Sequence, residues 1–435
     1  MRIQEKIRVI ATITILFYGI QLTSIYAQHS NRAVNYNIDY LPNIESVLFH
    51  PVISPVDFPV LFLGKSDPIF VRFDDLDGDF VYYRYKIVHC DANWQPSNIS
   101  DLEYIDGLND QEVRNFAYSL NTRQNYTQYS FFFPNDNLNI TKSGNYLLHV
   151  YRDSDGMMVF TRRFVVSEES FKMEADQVQA LGNANQSEDQ RINVNVAVND
   201  FNIPDPNNQI KLVIIQNQNW SISEAMPPRN QILNDFLFNY PDKPVFKGLK
   251  EFRALDLRSF RRPPFMIENL ERYSDRTEVF LRTDVLRGNK SNVFYPDLNG
   301  AFIVDNLDSN LDSLSIDYAQ VHFYLQSQKL DNPVYVTGAF NNWGLNPDCN
   351  PMTYNADKGY YEGSLLLKQG YYDYYYGEKT SQGFDYTKTE GSSFETRNSY
   401  QVMLYYRPYG ERYDRLVKYS NIGIPVVGQL SDGRN

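Results

Sequence analysis

A two-residue apolar period constrains this chain more than anything else in it. In "RINVNVAVND", Ile192, Val194, Val196 and Val198 alternate with their neighbours, and Tyr146, Leu148 and Val150 do the same in "GNYLLHVY". Alternation of this kind puts successive side chains on opposite faces of an extended strand. The helical period is nowhere sustained. Turn chemistry separates the runs: Asp77-Gly78 and Asp155-Gly156 lie between strands, and "MPPRN", "YPDKP" and "RRPP" read as loops. The 34 Tyr and 28 Phe suit pleated, half-buried surfaces. The expected fold class is all-β, made of tandem immunoglobulin-like or early-set β-sandwich domains.

Arg2, Lys6 and Arg8 frame an apolar run from Val9 to Ile20, and Ala27 supplies a small residue before Gln28. This is the layout of a secretory signal peptide over residues 1–27, too short for a membrane span. No later stretch approaches 18 apolar residues, so no transmembrane helix is expected. The net charge of −12 leaves no cationic surplus for phosphate, which argues against nucleic acid and against an anionic membrane surface. Cys90 and Cys349 are the only cysteines. They exclude a disulfide framework and leave either one long-range bridge or two separate thiols.

Composition and turn spacing divide the chain into an N-terminal β-sandwich domain (28–167, with 28–50 an irregular lead-in), a middle β-rich domain (168–315), a C-terminal sandwich (316–410) and a poorly ordered tail (411–435). "EFRALDLRSF" and "TEVFLRTDVL" count as strands of the middle domain, and "SYQVMLYYR" as the last strand of the C-terminal one. Lys142-Ser143-Gly144-Asn145-Tyr146 and Lys368-Gln369-Gly370-Tyr371-Tyr372 share K-x-G-x-Y. A Tyr so placed can act as the tyrosine corner of a Greek-key sandwich, its hydroxyl closing back onto backbone.

Candidate chemistry is sparse. Asp74-Asp75-Leu76-Asp77-Gly78-Asp79 has the look of a calcium loop, but counting from Asp75 puts Phe80 at the sixth position and Lys86 at the twelfth, where Gly and Glu are needed. It reads as an acidic turn. His89-Cys90-Asp91 would sit on a strand with adjacent side chains on opposite faces, and the other histidines (His29, His50, His149, His322) give no zinc-like spacing. No metal or cofactor is expected. No G-x-S-x-G elbow, P-loop or dinucleotide-binding glycine pattern occurs, so the chain reads as non-enzymatic.

One motif points to a ligand. "VYVTGAFNNW", followed by "GYYEGSL" and "GYYDY", resembles the starch- and glycogen-binding modules, which are early-set immunoglobulin-like sandwiches. The resemblance implies that Trp343 stacks on a sugar ring, with Asn341 and Asn342 in the same turn. The late-strand Lys of those modules is replaced by Tyr375, and no second Trp follows, so Phe384 or Tyr386 would have to stand in. The competing reading is that Trp343 packs the turn onto its own sandwich.

Over the whole mature length, "FDDLDGD", "YKIVHCDANWQPS", "FPNDNLNITKSGNYLLHVY", "EFRALDLRS", "YPDLNGAF" and "VYVTGAFNNW" occur in an order that resembles the plug-protein family of the type IX secretion system of Bacteroidota. The resemblance implies an exported, periplasmic, non-enzymatic protein, peripherally associated with the outer membrane. Its partner would be the giant outer-membrane β-barrel translocon, whose periplasmic end it closes. The alternative is a carbohydrate-binding envelope protein using the C-terminal module.

Overall fold

The computed structural model describes residues 35–180, 185–198, 203–232, 235–243, 245–288, 290–308 and 313–423; the expected signal peptide and residues from 424 onward lie outside them. The described chain is all-β, three sandwiches joined through extensive contacts. Among the described residues no helix is long and apolar enough to cross a membrane.

The first sandwich draws its strands from within 38–167. One sheet runs Ile38–Asp39, Met158–Ser167, Gly144–Arg152, Tyr83–Cys90 and Gln111–Glu112, with Val60–Phe62 parallel to Met158–Ser167. The opposing sheet runs Ile44–Pro51, Ile69–Asp75, Thr127–Phe133 and Asn115–Tyr118. Phe73, Tyr85, Tyr129, Phe133, Leu148 and Phe164 fill the space between them. The Asp77-Gly78 turn carries the chain from one sheet to the other, with Gly78 at φ 72°. Asp155-Gly156 instead closes a hairpin between Gly144–Arg152 and Met158–Ser167. Residues 44–51 are a full strand rather than an irregular lead-in. A bulge between Glu45 and Leu48, with Ser46 at φ 52°, turns Ile44 and Val47 inward three residues apart and so hides the alternation.

Both tyrosine corners are present. The Tyr146 hydroxyl donates to the Lys142 carbonyl at 2.7 Å, and the Tyr372 hydroxyl donates to the Lys368 carbonyl at 2.5 Å. Each ties a late strand to the loop that enters it.

The remaining chain departs from the expected boundaries at 316 and 410. One middle-sandwich sheet contains Lys172–Gln179, Asp189–Ala197, Asp235–Leu237, Asn230–Ile232 and Val245–Lys247. The other runs Asn219–Met226, Ile210–Gln216, Tyr400–Tyr406 and Arg415–Ile422. The third sandwich is therefore an insertion into the middle one. Its sheets are built on Gly370–Thr380, which pairs Arg253–Asp256, Phe302–Val304, Val334–Thr337 and Gly383–Asp385, and on Tyr318–Gln326, which pairs Thr277–Leu281 in parallel and Tyr360–Lys368 antiparallel.

Burial explains these reassignments. Tyr400, Val402, Leu404 and Tyr406 face the middle core, while Met403 and Tyr405 on the other face pack against the first sandwich. A strand buried on both faces gives no sign of which sheet it joins. The expected loose tail likewise contains the strand Arg415–Ile422, where Leu416 packs toward the first sandwich and Val417 into the middle core.

Candidate functional site at the junction of the three sandwiches

The "VTGAFNNWG" turn follows the strand Val334–Thr337 and folds back under it. Asn341 Oδ1 accepts from the Gly338 and Gly344 amides at 3.1 and 3.2 Å, and its Nδ2 donates to the Val336 carbonyl at 2.8 Å. Asn342 and Trp343 both adopt positive φ, 50° and 60°. An Asn tolerates that region better than most side chains, and the bonds of Asn341 hold the loop in it.

Trp343 turns inward, with 7% of its surface exposed. Its ring lies over Gly300, where a Cβ would collide with it, and 5.9 Å from Phe252. Gly300 has φ 84°, so both the backbone conformation and the close approach require glycine. Phe252 in turn stacks on Tyr375 at 3.8 Å, and Tyr375 lies 5.4 Å from Tyr386. The Tyr375 hydroxyl donates to the Lys250 carbonyl. Leu249 and Phe252 come from the segment that leaves the middle sandwich, so this aromatic cluster fixes the inserted sandwich to its host. The two linkers also clasp each other: Ser393 donates its amide to the Leu249 carbonyl at 2.8 Å, and Asn398 Nδ2 donates to the Gly248 carbonyl at 2.7 Å.

The four carbohydrate candidates are thus brought together, but as packing. Trp343 and Tyr375 lack an open ring face, Asn341 bonds its own turn, and Asn342 Nδ2 donates to Asp39 of the first sandwich at 2.9 Å. Of the stand-ins, Tyr386 is buried and Phe384 lies 6.2 Å from it. The cleft beside Trp343, lined also by His50, Phe58, Arg162, Trp220 and Asn299, has a volume of about 110 Å³. Small-molecule sites occupy roughly 300–1,000 Å³.

The same junction holds polar locks that the sequence reading missed. Asp74, part of the run that reads as an acidic turn, is buried and pairs with Lys368 of the third sandwich. Asp74 also accepts from the Tyr318 hydroxyl at 2.6 Å, and the Lys368 ammonium lies 3.8 Å from the centre of the Tyr126 ring. Burial draws the Lys368 pKa down to about 8 against the opposing pull of Asp74. Asp75 is buried too and accepts from the Tyr83 hydroxyl at 2.7 Å. Asp317 accepts the Arg123 and Gln124 amides at 3.0 and 3.2 Å, a second tie between the first and third sandwiches. Between first and middle, Arg415 pairs with Glu168 at 2.5 Å, and the Tyr405 hydroxyl donates to Asn145 Oδ1 at 2.6 Å. Arg163 is enclosed by rings, 4.4 Å from Trp94 and 5.2 Å from Trp220, and burial lowers its pKa to about 10. The signal available in the sequence was indirect: Lys368 opens the second K-x-G-x-Y, and Asp74 sits in the acidic run.

The histidine and cysteine candidates do not assemble a site. His89 is buried, with Nδ1 against Ser97 Oγ at 2.8 Å and Nε2 against the Ser143 carbonyl at 3.0 Å. The carbonyl can only accept, so Nε2 carries the hydrogen and Nδ1 accepts from Ser97. Cys90 and Cys349 are both free thiols, and burial pushes each up to about 12. Among the described residues no group of three or more His, Cys, Asp or Glu could hold a metal ion.

Residues 44–168, which span the first sandwich from its bulged strand onward, match the sequence model of the first domain of the type 9 secretion system plug protein. No curated protein matches the chain. Among solved structures, a hypothetical protein from Parabacteroides merdae is similar, with a TM-score of 0.85 and 28% identity, over 90% of this chain and 100% of that one.

Proposed function

We propose that this chain is a non-enzymatic periplasmic plug that closes the periplasmic end of the outer-membrane type IX secretion translocon barrel. The observation that carries the reading is the match of residues 44–168 to the plug first domain. The junction supports it physically. A stopper has to resist deformation, and sandwiches joined by flexible linkers would swing about their joints. Here the insertion of one sandwich into another, the paired linkers and the buried Asp74–Lys368 contact tie all three into one body. Burial of the candidate stacking rings Trp343 and Tyr375 in the same joint favours this reading over the carbohydrate alternative.

The test is affinity purification of the tagged full chain from its native envelope. Recovery of the giant outer-membrane β-barrel of the type IX system in stoichiometric amount is the expected result. Its absence from the eluate would sink the proposal.

A further inference from the structure

The first sandwich is open along one side. Its seam there is bounded by the short edge strands Gln111–Glu112 and Asn115–Tyr118, each the last strand of its sheet. Four aromatic side chains fill the seam and remain in solvent: Phe80 is 37% exposed, Tyr82 68%, Phe116 39% and Tyr118 51%. They form one contiguous group, with Phe80 4.5 Å from both Tyr82 and Phe116, and Phe116 6.0 Å from Tyr118. Such a patch on an exposed surface marks a place where something binds.

Backbone geometry indicates what binds. Ser119 donates its amide to the Tyr126 carbonyl at 2.9 Å, just beyond the ladder in which Phe116 opposes Tyr129 and Tyr118 opposes Thr127. Hydrogen-bonded pairs alternate in an antiparallel ladder, so Ala117 and Asn115 bond toward Thr127–Phe133. The amides and carbonyls of Phe116 and Tyr118 therefore point outward. Folded proteins blunt such an edge by keeping it short or with Lys, Pro or an inward charge, and this one is short. The strand itself, Asn-Phe-Ala-Tyr, has no Lys, no Pro and no charged side chain.

Charge narrows the partner further. The carboxylates of Asp79, Glu112 and Asp153 border the seam, all three exposed, and the Asp153 amide donates to the Tyr82 carbonyl at 2.8 Å. Glu112 already pairs with Arg114 at 3.0 Å and with Arg84 at 3.6 Å, and Asp153 pairs with Arg84 at 3.7 Å, so among the described residues Asp79 is the carboxylate of the three in no such ion pair.

We propose that the strand Asn115–Tyr118 is a docking edge that takes an extended segment of a partner polypeptide. That segment carries apolar side chains at alternate positions and a basic residue beside them. It bonds to the outward backbone of Phe116 and Tyr118, lays its apolar row on Phe80 and Tyr82, and sets its cation against Asp79. This is strand addition, in which main-chain bonds give affinity and alternate side chains give specificity. The inference stands apart from the plug reading, since any polypeptide of this chemistry satisfies it.

The test places a photo-crosslinking phenylalanine analogue at Tyr118 of the full chain in its native envelope, with Tyr273 on the third sandwich as the control position, and sequences the crosslinked peptide. The expected product joins position 118 to one extended stretch of a partner with apolar residues at alternate positions. Its yield falls at least about tenfold in Phe116→Asp and in Tyr82→Asp, a loss of about 1.4 kcal/mol in binding. The melting temperature of the Tyr82→Asp chain stays at the parental value, because that side chain is mostly in solvent. A crosslink to a second copy of this chain, to a helical segment, or equally from the control position overturns the inference. So does a yield that neither substitution changes. A strand-like crosslink to a protein other than the translocon barrel upholds this inference and counts against the plug reading.

Discussion

Lys368 of the third sandwich forms an ion pair with Asp74 of the first, and each side chain is only 1% exposed. Two charges taken out of water to this degree are held by their mutual contact and by the Tyr318 hydroxyl on Asp74. Removing Lys368 leaves the Asp74 charge buried with only neutral donors, the Tyr318 hydroxyl and the Gln128 amide, to offset it. Lys368→Met is expected to destabilise the chain by about 3–5 kcal/mol, read as a shift of the denaturant midpoint. The double variant Lys368→Met with Asp74→Leu is expected to recover much of that loss. Equal loss in single and double variants would show that the pair does not act as a unit.

Replacing Trp343 with Ala removes the ring that covers Gly300 and Phe252. The expected cost is about 3–5 kcal/mol, the range for emptying a buried large aromatic site. Titrating maltooligosaccharides to millimolar concentration into the parental chain is expected to leave Trp fluorescence unchanged. A saturable change that Trp343→Ala abolishes would restore the carbohydrate reading.

The two tyrosine corners predict a pair of effects. Tyr372→Phe strands the buried Lys368 carbonyl at an expected cost of about 1–3 kcal/mol, and Tyr146→Phe removes the part-buried bond to the Lys142 carbonyl at an expected cost of about 0.5–1.5 kcal/mol. Chemical denaturation of each variant checks this, and a neutral result at both sites would contradict the corner role.

His89 and His149 predict the acid limb of stability. Burial holds both near a pKa of about 4, below the ordinary 6.5. Between those values the unfolded chain binds the extra proton and the folded chain does not, so stability falls as pH drops through that window and is at full value above it. Each histidine contributes at most about 3 kcal/mol to the fall. Denaturant midpoints from pH 7 to 4 check the sign, and His89→Gln is expected to make the slope shallower.

How far the fold could be read from the sequence depended on how many faces of each strand are buried. Tyr83–Cys90 alternates because Arg84 and Lys86 reach solvent while Tyr83, Tyr85 and Ile87 pack, and the pattern is plain. Tyr400–Tyr406 and most of Gly370–Thr380 are buried on both faces, so "YQVMLYY" and "GYYDYYYG" announce a strand without announcing its neighbours. The tyrosine corners were legible because they are local, closing over four residues. The polar locks were not: Asp74 and Lys368 are 294 residues apart, and an aspartate in an acidic run carries no mark of the lysine it will meet. For Trp343 the sequence left two readings, stacking on a sugar and packing within the protein, and the ring's 7% exposure agrees with the second. The turn motif fixes the ring's position, and only the neighbouring Gly300 and Phe252 decide that it faces inward. That Gly300 lies in the "YPDLNGAF" segment shows how two motifs far apart in the chain serve one contact.

The most direct test of the plug account is outer-membrane permeability in the native organism. Entry of a hydrophilic antibiotic too large for general porins would be compared between the parent, a deletion of this chain and the complemented deletion. The account predicts that the deletion becomes permeable, that the full chain restores the barrier, and that removing the translocon barrel as well abolishes the leak. A deletion as impermeable as the parent, with the translocon still present, would contradict it.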